Sequence, residues 1–251
     1  MIHLTGTLIN IGTVLAGTTA GAILGGRLPE RIRETVMDGL GLITLVVGID
    51  QALAATRPPL TDLVHSAAAG GIPILIVMGS VLVGGIVGEI LRIEDGLAAV
   101  GNRLKRRFGR GQGRFTEGFV VASLVFCVGP LTILGSIRDG LSGDYSLLAI
   151  KAMLDGFAAL AFASALGWGV GFSVITILVY QGGLSLAASA VAGAIGDPAS
   201  SPAIAAVTAT GGVLILSIGF RLLRVREIRV GNLLPALVLA PLAVVAVERL
   251  S

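Results

Sequence analysis

Apolar residues fall in eight long blocks along this chain: 5–26, 36–55, 67–91, 117–137, 146–167, 169–194, 203–221 and 230–248. Each is close to the roughly 20 residues an α-helix needs to cross a lipid hydrocarbon core. The blocks lack the polar residues at helical period that a helix on a water-soluble core would carry. The pattern therefore predicts an all-α, polytopic helical membrane protein of about eight transmembrane spans, organised as a single integral membrane domain over residues 1–251. The fifth and sixth blocks are parted only by "GWGVG", Gly167 to Gly171. Four residues precede the first block, with no basic stretch before it and no polar linker after it. It reads as a retained span rather than a cleaved signal.

The charges between the blocks give an orientation. Arg27, Arg31 and Arg33 follow the first block; Arg92, Arg103, Lys105, Arg106, Arg107, Arg110 and Arg114 follow the third; Arg221, Arg224, Arg226 and Arg229 follow the seventh. Fourteen of the 18 basic residues thus lie in odd-numbered loops. Cytoplasmic loops collect Lys and Arg, so eight spans put these loops in the cytoplasm and both termini outside. Merging the fifth and sixth blocks would place the seventh loop on the wrong side.

Two stretches repeat. "INIGTVLAGTTAGAIL" (Ile9 to Leu24) aligns without gaps on "IVMGSVLVGGIVGEIL" (Ile76 to Leu91), matching Gly12 with Gly79, Gly17 with Gly84 and Gly21 with Gly88. This is an internal repeat of a two-span unit, over approximately 5–55 and 67–137. A fainter echo links "VMDGLGLITL" (Val36 to Leu45) with "MLDGFAALAF" (Met153 to Phe162), in the opposite membrane direction. Inverted repeats are a common transporter build. Gly17, Gly21 and Gly25 share one helix face, where missing side chains let a second helix come close. The neighbour is a helix of the same chain or of a second copy, and a homo-oligomer through this face is one expectation.

Composition narrows the class. The chain is 54% hydrophobic and 13% charged, with a mean hydropathy of +0.94; soluble domains carry roughly a quarter of their residues as charges. Net charge is +3, but the basic residues punctuate apolar runs and form no nucleic-acid surface. The single cysteine, Cys127, excludes an intrachain disulfide and a multi-cysteine metal site. His3 and His65 fall at block edges, and no metalloprotease, phosphate-loop or Ser-His pattern is present. The expectation is a protein that is not an enzyme and uses no cofactor.

Candidate chemistry lies inside the spans. Lys151 and Asp155 sit in the fifth block, four residues apart and so on one helix face. Counted from Ser146, they lie about 8 and 14 Å deep. Lysine can snorkel outward; aspartate at that depth cannot. A charge at a span centre costs about 2.5–3.5 kcal/mol on the most lenient scale. Asp155 is therefore paired with Lys151, hydrated by a cavity, or protonated. A register-fixing ion pair and a solute or ion site are both consistent with this. Gly129 and Pro130 break the fourth block, freeing a backbone carbonyl, with Cys127, Thr132 and Ser136 beside the break. "YQGG", from Tyr180 and Gln181, and "TATGG", from Thr208 and Thr210, are expected to interrupt the sixth and seventh spans. The candidate substrate- or ion-binding residues are Asp155, Lys151, Cys127, Gly129, Pro130, Thr132, Gln181, Thr208 and Thr210. Asn10 and Glu89 are weaker candidates, Glu89 at the inner interface beside Arg92. Broken spans beside a charged one resemble a transporter core.

Four segments carry a family resemblance: "GTLINIGTVLAGTTAGAILGGRLPERIRETVMDGLGL", "FCVGPLTILGSIRDGLSGD", "IKAMLDGFAALAFASALGWGV" and "GNLLPALVLAPL". They resemble, in order and over essentially the whole chain, an uncharacterised bacterial family of multi-pass membrane proteins, domain of unknown function 554. The resemblance implies an inner-membrane location and brings no activity or catalytic residues. The leading expectation is a small-solute or ion transporter, proton- or sodium-coupled, whose partners are the lipid bilayer, the solute and a second copy of the chain. The rival is a non-catalytic membrane scaffold or assembly protein.

Overall fold

In the computed structural model, which describes residues 3–25, 29–63, 71–108, 114–128, 130–190 and 201–249, the apolar blocks are helices and no described residue is in a strand. Unbroken helices are α1 (Thr5–Gly25), α2 (Glu30–Ala52), α3 (Ile72–Leu91), α7 (Ser146–Leu166) and α10 (Pro202–Leu222). Arg92 takes a left-handed conformation (φ 53°) that ends α3, and α4 (Ile93–Phe108) starts at once. The segment 92–115, read from sequence as a loop, thus contains a helix. Acidic Glu94 and Asp95 open it and Lys105, Arg106 and Arg107 close it, complementing the helix dipole at both ends.

The fourth block is broken as expected. α5 (Phe115–Cys127) and α6 (Pro130–Ser142) meet at 61°. Proline suits the first position of a helix and disfavours helix just before it, so α6 can start at Pro130 but α5 cannot run into it. The sixth block starts as a 3₁₀ turn (Trp168–Ser173), continues as α8 (Val174–Ile177), widens into a π-turn (Leu178–Gly182) and ends as α9 (Gly183–Ala190). "YQGG" therefore marks a π-bulge rather than a gap. "TATGG" interrupts nothing, because α10 runs straight through Thr208–Gly212. A 3₁₀ turn (Val230–Leu233) leads into α11 (Ala236–Glu248).

The chain forms two compact units, residues 1–40 with 96–196 and residues 41–95 with 197–251. In the first unit, α1 lies along α7. A β-carbon added at Gly17, Gly21 or Gly25 would collide with the carbonyl oxygens of Gly156, Leu160 and Ser164 respectively. The two numbers rise together, so the helices are parallel. The bent α5–α6 pair runs beside the sixth block in the same direction. Phe115 lies against Gly169, the Ser123 hydroxyl is 2.9 Å from that of Thr176, and the Ser189 hydroxyl donates to the Gly140 carbonyl at 2.7 Å. In the second unit, α2 and α10 are antiparallel: Gly41 meets Leu223, Gly48 meets Leu216 and Gly212 meets Ala52. The start of α11 opposes α3, with Gly84 on Ala236 and Gly88 on Asn232.

These directions bear on the crossing count among the described residues. Seven helices are long and apolar enough to cross a membrane, and the α5–α6 pair is either an eighth span or a re-entrant loop. A chain that crosses at every block points the first and fifth the same way and opposes the second to the seventh and the third to the eighth. All three relations are observed. A re-entrant α5–α6 would reverse each of them if every other block crosses, and the pair follows the sixth block from Gly169 to Ser189. The protein is an all-α polytopic membrane protein. Apolar side chains such as Phe157 and Ile86 are 71% and 62% exposed, a surface suited to lipid.

Candidate functional site

In the first unit, α1, α7 and the π-turn bring five polar side chains into one hydrogen-bonded string. Lys151 donates its Nζ to Asp155 Oδ2 through a short contact one helical turn long. Asn10 Nδ2 donates to the same oxygen at 2.9 Å and to Gln181 Oε1 at 3.0 Å. Gln181 Nε2 donates in turn to the Thr7 hydroxyl at 3.2 Å. Thr7, Asn10 and Gln181 are fully buried, and Lys151 and Asp155 are 5% and 8% exposed. The carbonyl oxygen of the Asn10 side chain is buried without a hydrogen-bond partner.

Local sequence explains the convergence. Gly156 follows Asp155 and packs on Thr13, and Gly17 has no side chain to hold α7 away. The backbones approach closely there, bringing a side chain as short as asparagine within reach of Asp155. Thr7 and Asn10 are three apart and share a face of α1. The π-turn adds a residue to the helical register at Leu178–Gly182; such bulges re-aim side chains and recur at functional sites.

Of the residues expected at the site, the structure joins Asp155, Lys151 and Gln181, and promotes Asn10 from the weaker set. Thr7 carried no sequence signal beyond its spacing from Asn10. Thr132 instead gives its hydroxyl to the Phe126 carbonyl at 3.2 Å, satisfying an acceptor freed at the break. Cys127 is buried at the end of α5. Pro130 opens α6, and Gly129 lies outside the described residues. Thr208 and Thr210 belong to α10 of the second unit; Thr208 bonds the Ile204 carbonyl of its own helix at 2.9 Å, and the Thr210 hydroxyl is buried without a partner. The fainter sequence echo does not make a second site, since Asp38, the counterpart of Asp155, is exposed.

The second unit holds its own polar centre. Glu94 accepts from Arg221 Nη1 at 2.6 Å and from the Gly231 backbone N–H at 2.6 Å. Glu89 pairs with Arg229 and accepts from Asn232 Nδ2 at 2.6 Å. Glu89 therefore faces the residues before α11, while Arg92, its expected neighbour, pairs with Asp95 at 2.8 Å. These bonds bring the ends of α3 and α10 together. In the first unit, Arg114 makes two bonds to Glu117, at 2.9 and 3.0 Å. Those bonds, with the nearby Glu30 charge, push the Arg114 guanidinium pKa up. Glu30, at the start of α2, thus lies near Arg114, just before α5.

Comparison with known proteins gives a family and no activity. The model of the family described as "Protein of unknown function (DUF554)" matches residues 5–245. The chain is similar to "Uncharacterized membrane protein YdfK" of Bacillus subtilis (strain 168), at 30% identity over 97% of this chain and 96% of that protein. It is also similar to "Uncharacterized protein YqgA" of Escherichia coli (strain K12), at 32% identity over 94% of each. No solved structure matches the chain.

Proposed function

We propose, for a chain that belongs to the DUF554 family of proteins of unknown function, a transporter that moves a small solute or ion across the bacterial inner membrane, coupled to protons or sodium. The observation that carries this reading is the buried string Lys151–Asp155–Asn10–Gln181–Thr7, set on two spans and a π-bulge. Ionisable groups inside a membrane are costly and mark substrate or ion pathways by default. Asp155 would hold the coupling cation, with Lys151 as the internal cation that competes for the same oxygen. Asn10 and Gln181, neutral and bearing both donors and acceptors, would adjust as that exchange occurs. No step in this reading makes or breaks a covalent bond of the solute, so the protein is not an enzyme.

The same reading places both termini outside and the basic segments 92–115 and 221–229 in the cytoplasm. The charge bias along the sequence supports it, as does the closeness of Glu94 to Arg221. It also takes α1–α2 and α3 with α5–α6 as a duplicated two-span unit. Gly17 and Gly84 both meet partner backbone, as do Gly21 and Gly88, while Gly12 and Gly79 both face open space. The glycine face expected to join two copies is occupied within the chain by α7, so the homo-oligomer we also propose must use another surface.

The rival reading, a scaffold, is favoured by one observation: Asp155 Oδ2 already accepts from both Lys151 and Asn10, the arrangement of a structural link. Asp155→Asn separates the two readings. In proteoliposomes a transporter loses gradient-driven uptake and keeps most of its melting temperature. A scaffold loses melting temperature, because Lys151 is stranded, and shows no uptake in either form across an ion and metabolite panel.

A further inference from the structure

One buried charge is absorbed by none of these contacts. Asp139, on α6, has zero exposure. Neither of its oxygens meets a donor in hydrogen-bonding geometry, although the Gly6 backbone N–H in the first turn of α1 lies near. Ser136, one turn before it on the same face, is also fully buried with an unpartnered hydroxyl, and so is Ser185 on α9. Buried polar atoms are nearly always satisfied, and these side-chain atoms have no hydrogen-bond partner.

Their placement is set by the neighbouring backbones. Gly135 packs on Leu148 of α7 and Gly140 on the Ser185 carbonyl of α9. Residues 136 and 139 fall between those two directions at 100° per residue, so Ser136 and Asp139 face the space where α1, α7 and α9 converge. Ser185 lies one turn beyond Gln181, and Gln181 bonds Thr7. Gly6 and Gly135 both pack on Leu148, which puts Asp139 within about one helical turn of the level of Leu148. Asp155 is seven residues further along α7, about 10 Å at the helical rise, or three to four hydrogen-bond lengths of about 2.8 Å. The charged groups near Asp139 are few: His3, ahead of α1, and Asp144, beyond α6. The first turn of α7 and the facing part of α9 contribute none.

We propose that Asp139 is a second proton-carrying carboxyl, which relays protons between the end of the unit where α1 begins and Asp155, through the Ser136 and Ser185 hydroxyls and ordered water. The proposal rests on the proton-coupled form of the reading above. In each transfer, protonated Asp139 loses its O–H proton to the next oxygen. That oxygen passes one of its own protons on, and the last one forms the O–H bond of Asp155. A hydronium ion at the α1 end then reprotonates Asp139 and is left as water. At each oxygen on the way one O–H bond breaks as another forms, and nothing is oxidised or reduced. Protonation of Asp155 removes the charge that Lys151 answers, which links the relay to the ion pair.

Infrared spectroscopy of the full-length protein in detergent tests this without any substrate. The carbonyl stretch of a protonated carboxyl shifts when its proton is exchanged for deuterium, and the Asp155 band is assigned as the one lost in Asp155→Asn. After transfer from H₂O to D₂O, the Asp155 band should shift at least tenfold more slowly in Asp139→Asn than in the wild type. Ser136→Ala should also slow it several-fold, and Asp139→Glu should restore most of the rate. Ser136→Ala carries the test by itself if Asp139→Asn does not fold. Wild-type exchange rates in Asp139→Asn, or in a folded Ser136→Ala, overturn the relay. A wild-type protein with no Asp155 acid band down to its acid limit of folding overturns it too. Failure of the transport reading looks different: the exchange signature persists while liposomes show no solute- or ion-dependent flux.

Discussion

Asn10 donates to Asp155 at 2.9 Å across 145 residues of sequence, and that bond ties the second turn of α1 to the middle of α7. The same nitrogen also reaches Gln181, so one amide holds two other elements. Asn10→Ala should lower stability by about 1–2 kcal/mol, the upper range for hydrogen bonds between membrane helices, read as a drop in melting temperature in mild detergent. Asn10→Asp should cost more, because it sets a second carboxylate against the first. A melting temperature unchanged by both substitutions would remove Asn10 from the site.

Lys151 and Asp155 call for a double-mutant cycle. On the scaffold reading, either single change, Lys151→Met or Asp155→Leu, leaves a buried charge alone and should destabilise by about 3–5 kcal/mol. The double variant should recover most of that loss, because removing both charges also removes their desolvation cost. Thermal melting of the four proteins gives the coupling, and additive losses would show that the two side chains are independent.

The α1–α7 seam predicts a positional difference between glycines. A β-carbon at Gly21 would collide with the Leu160 carbonyl oxygen, whereas Gly12 faces open space. Gly21→Ala should therefore cost about 1–3 kcal/mol, as overpacking typically does. Gly12→Ala should be neutral or slightly stabilising, since alanine is the better helix former. Equal melting temperatures for the two variants would contradict the packing.

Much of this was legible in the sequence, and the missing parts share a cause. Spans are local: about 20 apolar residues show themselves without knowledge of neighbours. The Lys151–Asp155 pair is local too, at one helical turn. Asn10 was legible only as a weaker candidate and Thr7 not at all, because a lone polar residue in an apolar span acquires its meaning from a partner far along the chain. The same limit applies to Gly17, Gly21 and Gly25, whose spacing announces a close neighbour without naming α7. Thr208–Gly212 misled in the other direction. Gly212 packs on the Ala52 backbone, so the glycine serves an interhelical contact while α10 stays continuous. α4 escaped because its 16 residues are charged and too short to read as a span.

Glu94 anchors the start of α4 to Arg221 and to the Gly231 backbone. Glu94→Gln keeps the shape and loses the charge, so it should weaken both bonds. Their side chains are 13% and 22% exposed, between the surface and buried regimes, and a loss of about 1–2 kcal/mol is expected. The effect should be local: limited proteolysis within 224–229 should speed up while cleavage elsewhere stays constant. Uniform acceleration would mean that the contact supports the whole second unit instead.

The Asp144 carboxylate supplies a pH test outside the membrane. It accepts from the Ser146 hydroxyl at 2.6 Å and from the Ser146 backbone N–H at 3.1 Å, at the point where α7 begins. These two bonds, hydroxyl first, hold its pKa below the usual aspartate value. A carboxyl whose pKa falls on folding binds its proton more readily in the unfolded chain. Its stabilising contribution is therefore complete above the unfolded pKa of about 3.9 and is lost as pH falls through the lower folded value. Asp144→Asn should melt below the wild type at neutral pH. The gap should stay constant down to about pH 4 and close on further acidification. Melting curves of both proteins across that range decide it, and a gap that persists unchanged into strong acid would show that the carboxylate charge plays no part in starting α7.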